Sequence, residues 1–197
     1  MSICNRYYQI DGKNILDNNG NPIEYNYEYS VVCSLHSLNI TKFPDDRHFY
    51  LQYVTFIDLS NNKIEELPND IGKLKKLTHL DLSNNKLSKI QTECLKDIPN
   101  LISLDMSNNQ ITVIPKEIKY LHKLIILDLS NNQIKEIPKE IKYLYKLENF
   151  DISNNQIKEI SNKIMKYLNL IKIVDYYQTE EFYEIDDNSS CNSSIDF

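Results

Sequence analysis

Residues 127–138, L-D-L-S-N-N-Q-I-K-E-I-P, recur along the chain at a nearly fixed spacing, and that recurrence restricts the fold more than any other feature. Counting from Leu124, apolar residues and one asparagine follow at set offsets: Leu127, Leu129, Asn132, Ile134, Ile137, Ile141 and Leu144. The same offsets fit units starting at Val54, Leu77, Leu101 and Leu147, which lie 23 or 24 residues apart. Within L-x-x-L-D-L-S, apolar and polar residues alternate with the period of a half-buried strand. That alternation points Leu127 and Leu129 inward, and Asp128 and Ser130 outward. A 23-residue unit has too little apolar area to fold alone. Burying one Leu or Ile contributes ~1.5–3 kcal/mol, while ordering each backbone residue costs ~1–2 kcal/mol. Stacking between units must supply the difference, as in a solenoid.

Five units in register follow L-x-x-L-x-L-x-x-N-x-L, and on these residues the chain resembles the leucine-rich repeat family. Its second half, I-P-x-x-I-x-x-L-x-x-L, is similar to the short cytosolic subtype found in Ras-pathway scaffolds. The resemblance implies an α/β solenoid: a leucine-rich repeat horseshoe with a parallel β-sheet on the concave face and short irregular or helical convex segments. It also implies a non-enzymatic module that binds a protein through the concave face. The alternative is a regulatory or scaffold subunit that positions or inhibits an enzyme such as a small GTPase or phosphatase. Heavy use of Asn, Ile, Lys and Tyr suggests an AT-rich genome, as in large DNA viruses of amoebae and some protists.

Three regions are expected. Residues 1–29 fall outside the repeat and read as a small β cap or polar arm. Residues 7–10 and 13–16 suggest a hairpin around Asp11-Gly12; a second turn at 17–22 leads into the alternating stretch 23–29. Residues 30–173 hold the repeats. The first, 30–53, is degenerate: Cys33, Leu35, Ile40, Phe43 and Pro44 keep the pattern, and Leu38 stands where the asparagine belongs. A truncated unit begins at Leu170. In the unit from Leu77, Gln91 replaces proline, a helical turn is expected nearby, and Cys94 reads as core; residues 163–168 suggest a terminal helical turn. Residues 174–197 form an acidic tail, with disorder expected from Asp186 onward.

The asparagines Asn62, Asn85, Asn109, Asn132 and Asn155 read as a structural ladder. A buried carboxamide has two donors and an acceptor, enough to serve its own turn and the next coil where backbone groups need partners. Two outward columns are the candidate partner-binding residues. One is acidic: Asp58, Asp81, Asp105, Asp128 and Asp151. Carboxylates ~4.8 Å apart repel, and the favoured reading is a solvated column held by nearby Ser and Asn groups rather than a cation site, because a straight column does not converge on one ion. The other varies between units: Phe56, His79, Ser103, Ile126 and Asn149. Phe56 and Ile126 are apolar where solvent is expected, which suits interface anchors. Equally, Phe56 packs on the N-terminal segment and Ile126 is one isolated exposed residue.

The chain has a formal charge of −6, which argues against nucleic acid. Seven of its acidic residues, and no basic ones, lie in 175–197; set aside, they bring the remainder to +1. Lysines 73, 75, 76, 119, 123, 142 and 146, with Tyr120 and Tyr143 between them, fall on the convex side; interspersed Glu117 and Glu140 make this an ordinary solvated face, over which the acidic tail is long enough to fold back. Four scattered cysteines without C-x-x-C fit neither zinc nor a disulfide framework. With 3 glycines, phosphate-cradling loops are nearly excluded, and no catalytic motif appears. No cofactor or metal is expected, no membrane association, and a monomer. No signal-peptide or transmembrane run is present, so an intracellular, cytoplasmic location with reduced thiols is expected, and the N-x-S/T sequons at Asn39, Asn188 and Asn192 read as chance matches.

Overall fold

The structure, a computed structural model, describes residues 9–11, 14–16, 31–42, 54–67, 69–168 and 172–174. Strands β1 (Gln9–Asp11) and β2 (Asn14–Leu16) form an antiparallel hairpin. Asp11 pairs with Asn14, so the connecting residues are Gly12 and Lys13, one position later than the sequence suggests. Seven further strands form one parallel sheet in sequence order. They are β3 (Val31–Ser34), β4 (Val54–Asp58), β5 (His79–Asp81), β6 (Ser103–Asp105), β7 (Ile126–Asp128), β8 (Asn149–Asp151) and β9 (Lys172–Val174). The sheet is open, and each coil adds one strand: a solenoid of the expected class. The second turn at 17–22, the stretch 23–29, Phe43, Pro44, Leu170, the side chain of Cys94 and the tail 175–197 lie outside the described residues.

The crossovers explain the three-residue spacing of the second half-repeat. Pro115 and Pro138 sit in extended conformation at the N-termini of 3-10 helices Lys116–Tyr120 and Lys139–Tyr143. A third such helix spans Asn69–Lys73. Three residues per turn eclipse positions i and i+3. Accordingly Ile118 N–H donates to the Pro115 carbonyl, Leu121 to Ile118 and Leu124 to Leu121, at 2.9–3.0 Å. All three donor side chains are fully buried. I-x-x-L-x-x-L is thus the apolar edge of a 3-10 turn running straight into the next strand. The unit from Leu77 carries the expected helical turn as α1 (Thr92–Leu95) instead. Asp97 of this coil lies against Gly72: a Cβ on Gly72 would lie 2.5 Å from the Asp97 Cβ, so only glycine fits beside it. The Gln91 amide of this coil is buried without a hydrogen-bond partner among the described residues. The last described coil closes with α2 (Asn162–Leu168), whose Tyr167 hydroxyl donates to the Leu144 carbonyl at 2.8 Å.

The core is one continuous stack, from Cys33 and Leu35 to Ile164 and Leu168. The degenerate first coil joins it in register, Cys33 beside Ile57. One expectation fails. Ser60, Ser83, Ser107 and Ser130 are buried, not outward. The strands end at the preceding aspartates, two residues before each serine, and the chain turns inward there. Strand alternation therefore stops applying just before the serine.

Beyond the serine come two asparagines with different duties. The first of each pair (Asn61, Asn84, Asn108, Asn131, Asn154) has φ of 54–55°, in the left-handed region. Asparagine tolerates that region better than most residues. Ser37 takes the same conformation in the first coil. Replacing Asn131 by Gly should leave the denaturation midpoint nearly unchanged. Replacing it by Val should cost about 1–2 kcal/mol. Equal midpoints for the two variants in urea titration would contradict a backbone role.

The second asparagine forms the ladder. Asn132 Nδ2 donates to the carbonyls of Leu129, Ser130 and Met106 at 3.0–3.1 Å, and its Oδ1 accepts the Ile111 N–H at 2.9 Å. It serves its own turn and the preceding coil, not the following one. Asn62, Asn85, Asn109 and Asn155 repeat the arrangement. The ladder stops at Leu38, which is 52% exposed and gives its own N–H to Asn62 Oδ1.

Candidate partner-binding face

Stacking the strands brings both outward columns into register on one open face. Phe56, His79, Ser103, Ile126 and Asn149 lie side by side on successive strands, and so do Asp58, Asp81, Asp105, Asp128 and Asp151. The buried column Ile57, Leu80, Leu104, Leu127 and Phe150 runs between them on the opposite side of the sheet.

The variable column is not uniformly exposed. Ile126 is 41% exposed, and Asn149 is exposed beside it. Phe56 and His79 are half-buried and stack on each other, ring centroids 5.9 Å apart and 28° from parallel. Thr78 fixes the imidazole. Its hydroxyl donates to the Thr55 carbonyl at 2.9 Å, which leaves its oxygen to accept from His79 Nδ1–H at 2.9 Å. The described partner of the Phe56 ring is therefore His79, a neighbour on the sheet.

Each aspartate is held by its own turn. One carboxylate oxygen accepts the backbone N–H two residues on, in the pairs Asp58–Ser60, Asp81–Ser83, Asp105–Ser107, Asp128–Ser130 and Asp151–Ser153, at 2.9–3.0 Å. The hydroxyls of Ser60 and Ser130 add donations of 2.7 Å. Every serine of the set thus meets the preceding carboxylate through its N–H, and Ser60 and Ser130 do so through their hydroxyls as well. Among the described residues no cluster of side chains is arranged to hold a metal ion.

Asp105, in the middle of the row, shows the cost. Burial raises its pKa above 3.8, the Ser107 hydrogen bonds lower it, and Asp128 and Asp81 push it up again. A carboxyl with a raised folded-state pKa favours the folded chain most when protonated. That contribution is full below pH 3.8 and is lost as pH rises through the folded value. Asp105→Asn keeps an oxygen for the Ser107 N–H and removes the charge. It should therefore raise the urea midpoint at neutral pH, and the gain should vanish as pH falls to 3.8 and below. A gain that persists at low pH would contradict the electrostatic cause.

Sequence reasoning missed three exposed apolar or aromatic residues away from the sheet. Val113, 53% exposed, lies on the turn leaving β6; Tyr145, 75% exposed, lies on the turn entering β8 and meets Tyr143 edge-on. Leu38 is the third. A column comparison finds Val113, because the equivalent positions carry Glu66, Lys89, Glu136 and Glu159. Tyr120 and Tyr143 are exposed, each under a lysine from its own turn, Lys119 and Lys142, 5.3 Å from the ring centroid.

A family model for the leucine rich repeat matches residues 34–87, 75–134 and 99–157. No curated protein matches the chain. Among solved structures, a leucine-rich repeat protein of Leptospira interrogans is 27% identical with a TM-score of 0.60, over 72% of this chain and 41% of that one. The functional domain of InlJ from Listeria monocytogenes, which includes a cysteine ladder, is 25% identical with a TM-score of 0.55, over 68% of this chain and 27% of that one. The chain thus spans less than half the length of either. These likenesses carry the repeat and its fold; they do not carry the narrower Ras-scaffold subtype or a viral source. No helix among the described residues is long and apolar enough to cross a membrane.

Proposed function

The chain belongs to the leucine-rich repeat family, whose repeats generally serve as protein-interaction modules, and on that premise we propose that it binds a protein partner across the concave sheet. The observation that carries this reading is the variable column. Ile126 stands 41% exposed near the middle of the sheet, two strands from His79 of the Phe56–His79 stack, with the restrained aspartate row alongside. Aromatic anchors with a polar rim suit a protein surface. Among the described residues the face is an open row of strands with its titratable groups spread along a line, and this favours a binding role over a catalytic one.

The test compares capture by the wild type and by a Phe56→Ala, Ile126→Glu double variant that retains its denaturation midpoint. A partner should be held by the first and lost at least tenfold by the second, in keeping with anchors that cost about 2 kcal/mol or more on truncation. Equal capture would sink the concave-face reading. The identity of a captured partner also decides whether the module positions or inhibits an enzyme.

A further inference from the structure

We propose that the lysine-rich flank of the solenoid is the docking surface of the chain's own acidic segment, residues 175–197. The flank is formed by the last residues of the convex turns and the tight turns that lead into the strands, residues 72–76, 96–100, 119–123 and 142–146. These four windows carry eight lysines and one aspartate. Lys73, Lys75, Lys76, Lys123, Lys142 and Lys146 among them are exposed. The single aspartate, Asp97, is already engaged 3.6 Å from Lys75 Nζ.

The flank is a built surface. Lys123 Nζ donates to Asn100 Oδ1 at 2.7 Å, and Asn100 Nδ2 donates to the Lys75 carbonyl at 2.9 Å, tying three coils together. Tyr120, Tyr143 and Tyr145 stand exposed between the lysines. The opposite flank, where the chain leaves the strands, is balanced: residues 63–66, 86–89, 110–113, 133–136 and 156–159 hold five lysines and four glutamates. The sheet face is acidic. Among the described residues, positive charge is therefore concentrated on one side of the solenoid.

Residues 175–197 match that surface in charge, chemistry and reach. They carry seven acidic residues and no basic one, with Tyr176, Tyr177, Phe182 and Tyr183 interleaved. Aromatic rings suit a face of exposed lysines and tyrosines. The last described residue before this segment is Val174 in β9, one strand beyond β8. Twenty-three residues span up to ~75 Å when extended. The four coils to be crossed are ~4.8 Å apart, so the passage round the convex side to the flank is within reach.

Carbodiimide coupling of carboxylates to lysine amines in the full chain, read by mass spectrometry, tests this. Cross-links should join acidic residues of 175–197 to Lys75, Lys123 and Lys146 and be independent of protein concentration. They should be lost on raising salt from about 0.01 M to about 1 M, which shortens the Debye length from ~30 to ~3 Å. A Lys123→Glu, Lys146→Glu variant should lose them by roughly tenfold, and adding Glu184→Lys, Asp187→Lys should restore coupling with the charges exchanged. Links mainly to Lys63, Lys86 or Lys135 on the balanced flank, links that grow with concentration and so join two copies, or no links at low salt would each overturn the proposal.

Discussion

Replacing Asn109 and Asn132 together by leucine will destabilise the protein by more than the two single replacements added. The reason lies in which groups keep a partner. When Asn132 alone is lost, the Leu129 carbonyl still accepts from Asn155 Nδ2, the Ser130 carbonyl from the Asn108 N–H, and the Met106 carbonyl from Asn109 Nδ2. The group left alone is the Ile111 N–H, bound to Asn132 Oδ1. A stranded buried donor costs ~1–3 kcal/mol, and each lost bond to a carbonyl somewhat less. The single change should therefore cost roughly 2–4 kcal/mol. Asn109→Leu strands the Leu87 N–H in the same way. Only in the double variant does the Met106 carbonyl lose both carboxamides. The coupling should be about 1–3 kcal/mol beyond additivity, read from urea midpoints of the four proteins. Additivity within ~0.5 kcal/mol would mean that the asparagines act coil by coil and that the ladder is not a shared network.

The second large effect is at Phe150. Its ring is fully buried where the preceding strands carry Leu127, Leu104, Leu80 and Ile57 in the same column. Ile173 follows it in β9. Phe150→Ala opens a cavity in a stack whose backbone is fixed by neighbours on both sides, so relaxation is limited and ~3–5 kcal/mol should be lost. Phe150→Leu restores the residue type of the neighbouring coil and should cost well under half as much. Thermal unfolding of the two variants measures the contrast. Comparable losses would show that the column is not close-packed at this end.

The repeat made the fold legible because burial leaves its mark at fixed offsets. Leu127, Leu129, Ile134, Ile137, Ile141 and Leu144 are read correctly from spacing alone, since each coil has one inside. The degenerate first coil was legible for the same reason: Cys33 and Leu35 fall 24 residues before Ile57 and Leu59. What the pattern could not convey were features set by backbone shape. Ser130 looks outward on a two-residue period, but the strand has ended by then. The first asparagine of each pair has its left-handed φ to satisfy, which no hydrophobic pattern records. Gly72 is explained by an aspartate twenty-five residues away, which no local pattern records.

The candidate face was legible as two columns, because parallel pairing turns equal offsets into side-by-side neighbours. Individual exposure was not. Phe56 and Ile126 read as equivalents, yet Phe56 lies against His79 while Ile126 stands open. That difference depends on which side chain the neighbouring strand supplies. On the convex side Glu117 and Glu140 lie in the first turn of each 3-10 helix, while Lys119 and Lys142 lie in the last turn and Lys123 and Lys146 in the turn beyond, a separation that linear order does not display.

Binding across the concave sheet is tested most directly by hydroxyl-radical footprinting of the protein alone and with its captured partner. Oxidation of Ile126 and Phe56 should fall severalfold in the complex while that of Tyr120, Tyr143 and Tyr145 is unchanged. Protection of the three tyrosines with Ile126 and Phe56 still fully reactive would contradict it and move the binding surface to the lysine flank.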